Sequence, residues 1–354
     1  MIDLLNDIYP YIIGLYTLPW ILVGFILTII IAKFTGREKI DKIMKKIGLI
    51  LLYFFIPVLI FRIFLNVDFG KNQIEFAIAV TFIILFMYLL AFFYAKYKVK
   101  KWGLKDKKRN DYIKTVLTNQ GRSSAFIGGA LLTSPWKVEA AIYIALVGIA
   151  LFAIVPYILS HMHKKESKKS EKEKILTLPW YLKLYPWYLT SFVIAAIAIH
   201  GYTGITTKNL GYEIEIIVLF YTAITIPAAL YYVGASIHPK DLKIAEIKKL
   251  IGFKIKTIDG DHWSWVRSMF FLTVVITPIL TALIFIPLFF SGNINNSWFA
   301  VITINSILPI TSTNMFLIPY GIDKKSTAHV VTWTTLVCVP IVVALIAGFE
   351  IFIG

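Results

Sequence analysis

The chain has 354 residues, of which 58% are apolar and only 16% charged. A soluble domain carries about 25% charged residues, so an ordinary cytosolic enzyme and a disordered chain are excluded, and the lone Cys338 excludes a disulfide scaffold and a thiolate metal site. The net charge of +16 invites a nucleic-acid partner, but the way the charge is distributed argues for a membrane instead.

A membrane helix uses about 20 mostly apolar residues, and the apolar runs between charged breaks predict ten of them. In chain order they are Tyr11–Ala32, Ile47–Leu65, Ile74–Ala95, Tyr112–Leu132, Val138–Ser160, Trp187–Tyr202, Gly211–Ile237, Ser268–Phe290, Ser297–Tyr320 and Thr327–Ile353. The segment Met1–Pro10 has Asp3 and Asp7 but no Lys or Arg, unlike a secretory leader, so the first run is read as a retained span. Spans four and nine are the least helical. The fourth contains Asn119-Gln120-Gly121-Arg122-Ser123-Ser124, and the ninth contains Pro309, then Thr311-Ser312-Thr313-Asn314, then Pro319.

Alternate loops hold 31 of the 36 Lys and Arg residues: Lys33–Lys46, Lys96–Lys114, Lys164–Lys183, Lys240–Arg267 and Lys324–Lys325. Cytoplasmic loops carry the Lys/Arg excess, so both termini are expected outside a cell membrane. The charge is then a topology signal, and no nucleic-acid partner is expected. The run from His161 to Lys174 reads as a solvated mixed-charge linker, Asp259-Gly260-Asp261-His262 as a polar turn, and Asp241–Phe253 as an amphipathic helix on the inner surface.

Two halves of the chain resemble each other. Ile56-Pro57 in span two matches Ile226-Pro227 in span seven, and an offset of 188 residues aligns Gly121 with Pro309, Ser123-Ser124 with Thr311-Ser312 and Lys137 with Lys325. The matched spans lie five apart, and five is odd, so the halves have opposite orientation. Such inverted repeats mark transporters with a site near the bilayer midplane. The fold expected is an all-α polytopic membrane protein: residues 1–160 form the first five-helix repeat, 161–186 a basic cytoplasmic linker, and 187–354 the second repeat, in one integrated membrane domain.

Backbone that leaves a helix inside hydrocarbon must find partners in protein or a cavity. Asn119, Ser123, Ser124, Pro309, Thr311, Ser312, Thr313 and Asn314 are the candidate site residues, with two half-helix N-termini expected to meet there. Arg122 joins them, because a mid-span charge costs at least about 2.5–3.5 kcal/mol on insertion scales. With no carboxylate in mid-span, an anionic guest would compensate it; the rival reading ties Arg122 to backbone carbonyls at the break. Asn305, Arg62 and His329 are accessory candidates, Arg62 with Asp68 or Glu75 as its expected partner. Neither a cofactor nor a metal site is expected, and no enzyme motif stands out.

Pro309-Ile310-Thr311-Ser312-Thr313-Asn314, Tyr320-Gly321-Ile322-Asp323, Ser326-Thr327-Ala328, Thr334-Thr335, Pro340 and Val233-Gly234-Ala235-Ser236-Ile237 together resemble the auxin efflux carrier family of secondary transporters. Span four departs from the family pattern: Ser123 takes an Asn position, Ala130 replaces a proline, and Arg122 is an added charge. The resemblance implies ten spans and an elevator-like motion, with spans 1, 2, 6 and 7 as scaffold and the other six as a moving bundle. A more remote likeness is to bile-acid-type sodium symporters. The function expected is a carrier of a small organic anion, a carboxylate. The alternatives are a sodium-coupled symporter and a non-transporting receptor or sensor. The expected partners are the anion, the lipid bilayer and a second copy through the scaffold spans. Cysteine labels introduced at Ser167 and Gly354 are expected to react from opposite sides of the membrane; reaction from one side contradicts the topology.

Overall fold

The computed structural model describes residues 18–123, 136–167, 180–235, 244–252, 260–311 and 320–352, with residues 237, 239, 314, 317 and 318. Helix α1 is Leu18–Thr35. Gly36, in the left-handed region at φ 80°, turns the chain directly into α2, Arg37–Leu65. The expected basic loop between the first two spans is thus helical. Ile40 and Met44 are buried while Lys39, Lys42 and Lys46 are exposed, the two-faced pattern of a helix at a polar boundary. Then follow α3 (Lys71–Lys101), α4 (Asp106–Thr118), α5 (137–167), α6 (Trp180–Thr203), α7 (Tyr212–Ala235), α8 (Ile244–Ile251), α9 (His262–Phe290), α10 (Asn296–Ser306) and α11 (Lys324–Phe352).

Among the described residues, six helices are long and apolar enough to cross a membrane: those in α2, α3, α6, α7, α9 and α11. A shorter apolar stretch, Trp20–Thr35, lies in α1. Helix α3 shows what surrounds them. Ile74, Ile78, Phe82, Leu85, Leu89, Phe93 and Tyr97 form one continuous exposed stripe, with Phe82 67% and Phe93 63% exposed. A soluble monomer rarely exposes so large an apolar surface, whereas hydrocarbon solvates it without cost. The chain is an all-α protein whose helices suit a bilayer.

Helices α4 and α10 have 13 and 11 residues, about 20 Å and 17 Å at 1.5 Å per residue, too short to span about 30 Å of hydrocarbon. Span four, expected to run on to Leu132, stops as a helix at Thr118, and its remainder from Ser124 lies outside the described residues. Span nine stops at Ser306. Helix α8 falls inside the expected surface helix, and Asp261 caps α9 by accepting from the Ser264 N–H at 2.7 Å.

Three helices widen into a π turn at Leu51–Phe55, Ala150–Ile154 and Leu272–Ile276. Each turn is followed, after one residue, by a proline: Pro57, Pro156 and Pro278. Proline has no N–H and its ring crowds the carbonyl four residues back, so the helix gains a residue there. The carbonyl four residues before Pro57 belongs to Tyr53, and it accepts instead from the Tyr188 hydroxyl at 2.8 Å. Pro227, Pro287 and Pro340 lie in uninterrupted helix, so proline alone does not make the π turn.

The contacts divide into two compact units. The first holds the described residues up to Ile78, residues 136–145 and Trp187–Ile237, and so contains α1, α2, α7 and most of α6. Here α1 and α7 touch backbone to backbone. A Cβ on Gly24 would lie 2.2 Å from the Tyr231 carbonyl oxygen, and one on Gly234 would lie 1.9 Å from that of Ile21. Small residues at such a crossing replace the hydrophobic drive that lipid removes. Arg37 on α2 donates to the Ala235 carbonyl at the end of α7 at 2.8 Å, and Phe55 stacks on Tyr221 with centroids 4.7 Å apart.

The second unit comprises Ala79–Ser123, Leu146–Pro186 and His238–Gly354, of which the described residues carry α4 and α8 to α11 with most of α3. Its core gathers Ala91, Ala95, Tyr112, Val116, Trp265, Met269, Ile310 and Val330. For the first unit, Gly234→Val is expected to lower stability by about 1–3 kcal/mol through overpacking. This would be read as a lower melting temperature in detergent, and an unchanged value would contradict the α1–α7 contact.

Candidate functional site

Both half-helices of the second unit stop in the same way. Asn119 ends α4 with its N–H on the Thr115 carbonyl at 3.0 Å, and Ile307 ends α10 with its N–H on that of Ile304 at 3.2 Å. The chain then extends and the two breaks pair. Ser123 N–H donates to the Pro309 carbonyl at 2.9 Å, and Thr311 N–H donates to the Gly121 carbonyl at 3.0 Å, with Arg122 opposite Ile310 in an antiparallel bridge. The 188-residue offset carries one of these bonds onto the other and Arg122 onto Ile310, so the bridge is symmetric under the sequence repeat. In such a non-hydrogen-bonded pair the central N–H groups point outward. That of Ile310 donates to the Thr334 hydroxyl of α11 at 3.1 Å, and this hydroxyl in turn donates to the Val330 carbonyl at 2.7 Å.

Gly121 is required by closeness. A Cβ there would lie 2.7 Å from both Asn314 Oδ1 and a Leu151 methyl. Asn119 ties the neighbourhood together: its Nδ2 donates to the Thr115 carbonyl at 2.9 Å and to the Thr327 hydroxyl at 3.2 Å, and lies 3.3 Å from Met269 sulfur. Asn314 Nδ2 reaches Asn119 Oδ1 at 3.5 Å, the outer edge of a hydrogen bond.

Arg122 is 1% exposed, and one of its terminal nitrogens donates to the Leu308 carbonyl at 3.3 Å. This carbonyl contact is the one the rival reading of Arg122 anticipated. The expected meeting of half-helix N-termini falls outside the described residues. The described half-helices reach the crossover with their C-termini, which carry partial negative charge and favour a cation. The half-helix that would leave the break with its N-terminus falls in residues 124–135, outside the described residues.

The structure therefore brings together Asn119, Arg122, Ser123, Pro309, Thr311 and Asn314. Ser124, Ser312 and Thr313 lie outside the described residues. Asn305 is buried one turn before the break and donates to the Val301 carbonyl of its own helix at 2.6 Å. Arg62 belongs to the first unit, where it donates to the Thr222 hydroxyl of α7, while its expected partner Asp68 pairs with His200 at 2.9 Å. His329 joins a ring cluster with His262 and Trp263, at centroid distances of 5.0 and 5.2 Å.

Sequence reasoning passed over three contributors. Lys114 is 1% exposed and pairs with Asp111 at 3.3 Å. Thr115 and Thr327 bracket Asn119. Thr115 stands four residues before Asn119 on one helix face, which was a readable signal; Thr327 had none. Both amide atoms of Gln120, the Thr118 hydroxyl and the Oδ1 atoms of Asn305 and Asn314 are buried with no hydrogen-bond partner among the described residues. Among the described residues, no three His, Cys, Asp or Glu side chains gather as metal ligands.

Just beyond the crossover, Asp323 caps α11 by accepting from the Ser326 N–H at 2.7 Å, and its backbone N–H donates to the Thr115 hydroxyl at 2.9 Å. The His262 imidazole, 3.9 Å away, and then Ser326 hold its carboxyl down to about 2, against a desolvation that pulls upward.

Compared with protein-family models and with curated protein sequences, the chain matches none. Fold and site together define an all-α, membrane-suited helical protein in which the chain segments that leave α4 and α10 pair in a buried crossing.

A depressed carboxyl stabilises the fold above its unfolded value of about 3.9, and that contribution is lost as pH falls through the folded value. The melting temperature of the native protein is expected to fall between about pH 4 and pH 2. Asp323→Asn is expected to start lower near neutral pH and to lose less across that window. Parallel curves would remove Asp323 from the acid response.

Proposed function

We propose that the chain is a secondary transporter of a small organic anion, a carboxylate, working by elevator-like alternating access at the crossing of spans four and nine. The observation that carries this reading is the buried charge. Among the described buried residues the charged ones are Lys114 and Arg122, with no Asp or Glu. Arg122 brings a positive charge to the crossing, part of it set against the two helix C-termini, and low-dielectric walls focus the remainder on an entering anion. A guanidinium offers a carboxylate a planar, bidentate fork.

The symmetric bridge supports an inverted repeat of five and five spans, with α4 and α10 as the first halves of the broken helices. The contact grouping supports the division that the resemblance to auxin efflux carriers implies. Spans 1, 2, 6 and 7 fall in one unit and spans 8, 9 and 10 with most of span 3 in the other, while spans 4 and 5 are divided between the two.

A sodium-coupled symporter is the second reading, and one observation favours it. Half-helix C-termini and unwound carbonyls coordinate sodium in transporters, and the Oδ1 atoms of Asn305 and Asn314 lie buried without partners among the described residues. Against it, Arg122 already brings a fixed positive charge to those helix ends. We therefore expect flux to be independent of a sodium gradient.

Arg122→Lys keeps the charge and loses the fork; Arg122→Gln loses both. In proteoliposomes the first is expected to keep partial transport and the second to lose most of it. Affinity should fall roughly 10- to 100-fold, since a hydrogen bond to a charged group contributes about 1.5–3 kcal/mol. Full binding by a stable Arg122→Gln protein contradicts the anion site, and a fall in melting temperature matching the lost transport assigns Arg122 to the strut role. Asn314→Ala is expected to weaken binding while leaving the fold intact; unchanged affinity makes Asn314 purely structural.

A further inference from the structure

A second basic feature of the molecule plays no part in the crossing. Where α3 ends and the chain turns into α4, Lys96, Val99, Lys100, Gly103, Leu104, Lys105 and Arg109 line a cavity of about 430 Å³. Four of these seven residues are cations and none is an acid. All four cations are exposed, and none of them has an ion-pair partner among the described residues. Lys96 rests its ammonium over the Phe92 ring at 4.3 Å, so it is held at the mouth. Gly103, at φ 60°, makes the tight reversal that folds Leu104 and Lys105 back over the end of α3.

The position of the cavity says what would enter it. The exposed stripe on α3 runs through Leu85, Leu89, Phe93 and Tyr97. Lys100, seven residues after Phe93, continues the same helix face about 10 Å further on. The surface that suits acyl chains therefore leads straight to the cations. Tyr94, Tyr97 and Trp102 surround this level, as aromatic side chains do at a headgroup boundary, and Lys98 lies over Trp102 at 5.3 Å. Val99 and Leu104 give the cavity an apolar side suited to a glycerol backbone.

We infer that this cavity binds the phosphate headgroup of an anionic phospholipid, whose acyl chains lie along the exposed face of α3. The inference rests on the membrane reading of the fold, with this basic side toward the anionic cytoplasmic leaflet, where basic pockets between helices hold such headgroups. It does not rest on the transport reading. Loss of lipid binding leaves the crossing untouched, and failure of transport leaves the lipid site testable.

The test uses the full-length protein in neutral detergent, with phosphatidylglycerol as probe and retained lipid read by native mass spectrometry. Phosphatidylglycerol is expected to bind well above phosphatidylcholine, which carries the same phosphate under a compensating cation. One cation near an anionic surface contributes about fivefold, so Lys100→Gln with Arg109→Gln is expected to weaken retention about 25-fold. Lys100→Arg is expected to restore its share. Lys39→Gln with Lys42→Gln, on the exposed face of α2, serves as the charge control and should retain the lipid. Three results would overturn the inference: equal retention by the Lys100/Arg109 variant, an equal loss in the α2 control, or displacement of lipid by equimolar inorganic phosphate, which would make the cavity a site for the free ion.

Discussion

Two backbone hydrogen bonds govern the rest of this molecule. In hydrocarbon a peptide group without a partner costs several kcal/mol, and a helix interrupted in mid-membrane leaves such groups behind. Here the two interruptions supply one another, through Ser123 to Pro309 and Thr311 to Gly121. The pairing needs Gly121, because Asn314 and Leu151 already fill the space of a Cβ. It also needs Thr334, which receives the outward N–H of Ile310. It draws two helix C-termini together, and Arg122 meets their partial negative charge. A crossing that orders its own backbone so fully leaves buried side chains such as Gln120, Asn305 and Asn314 with hydrogen-bonding capacity to spare.

The remainder of the chain answers the same solvent by other means. Where three prolines displace the helical ladder, the helix widens by a residue, and Tyr188 takes up the Tyr53 carbonyl that Pro57 leaves behind. Where apolar surface no longer drives association, Gly24 and Gly234 let α1 and α7 approach to backbone contact. Where helices emerge, basic residues gather: Lys39, Lys42 and Lys46 on the exposed face of α2, and the cation-lined cavity after α3.

Much of this was legible in the sequence, because period and charge are local signals. Apolar runs located the long helices, and the polar, Gly- and Pro-bearing stretches at Asn119–Ser124 and Pro309–Asn314 located both breaks. The 188-residue offset aligned Arg122 with Ile310 without predicting that the two would pair. What the sequence hid was orientation and long-range contact. Arg37–Lys46 read as a loop because its lysines mask a helical stripe. Thr327 and Thr334 entered only as parts of the family motif, and their contacts stayed hidden because their partners lie far away along the chain. Arg62 looked like an interfacial cation, and only the proximity of α7 shows its bond to Thr222.

The crossing is proposed to serve an anion moving across a bilayer. Counterflow addresses it most directly. Proteoliposomes holding the native protein would be loaded in turn with mono- and dicarboxylates, and uptake of the same labelled compound followed with sodium present and absent. At least one carboxylate inside is expected to accelerate uptake over protein-free vesicles, to the same extent without sodium. No acceleration by any carboxylate, or acceleration that vanishes with sodium, would contradict it.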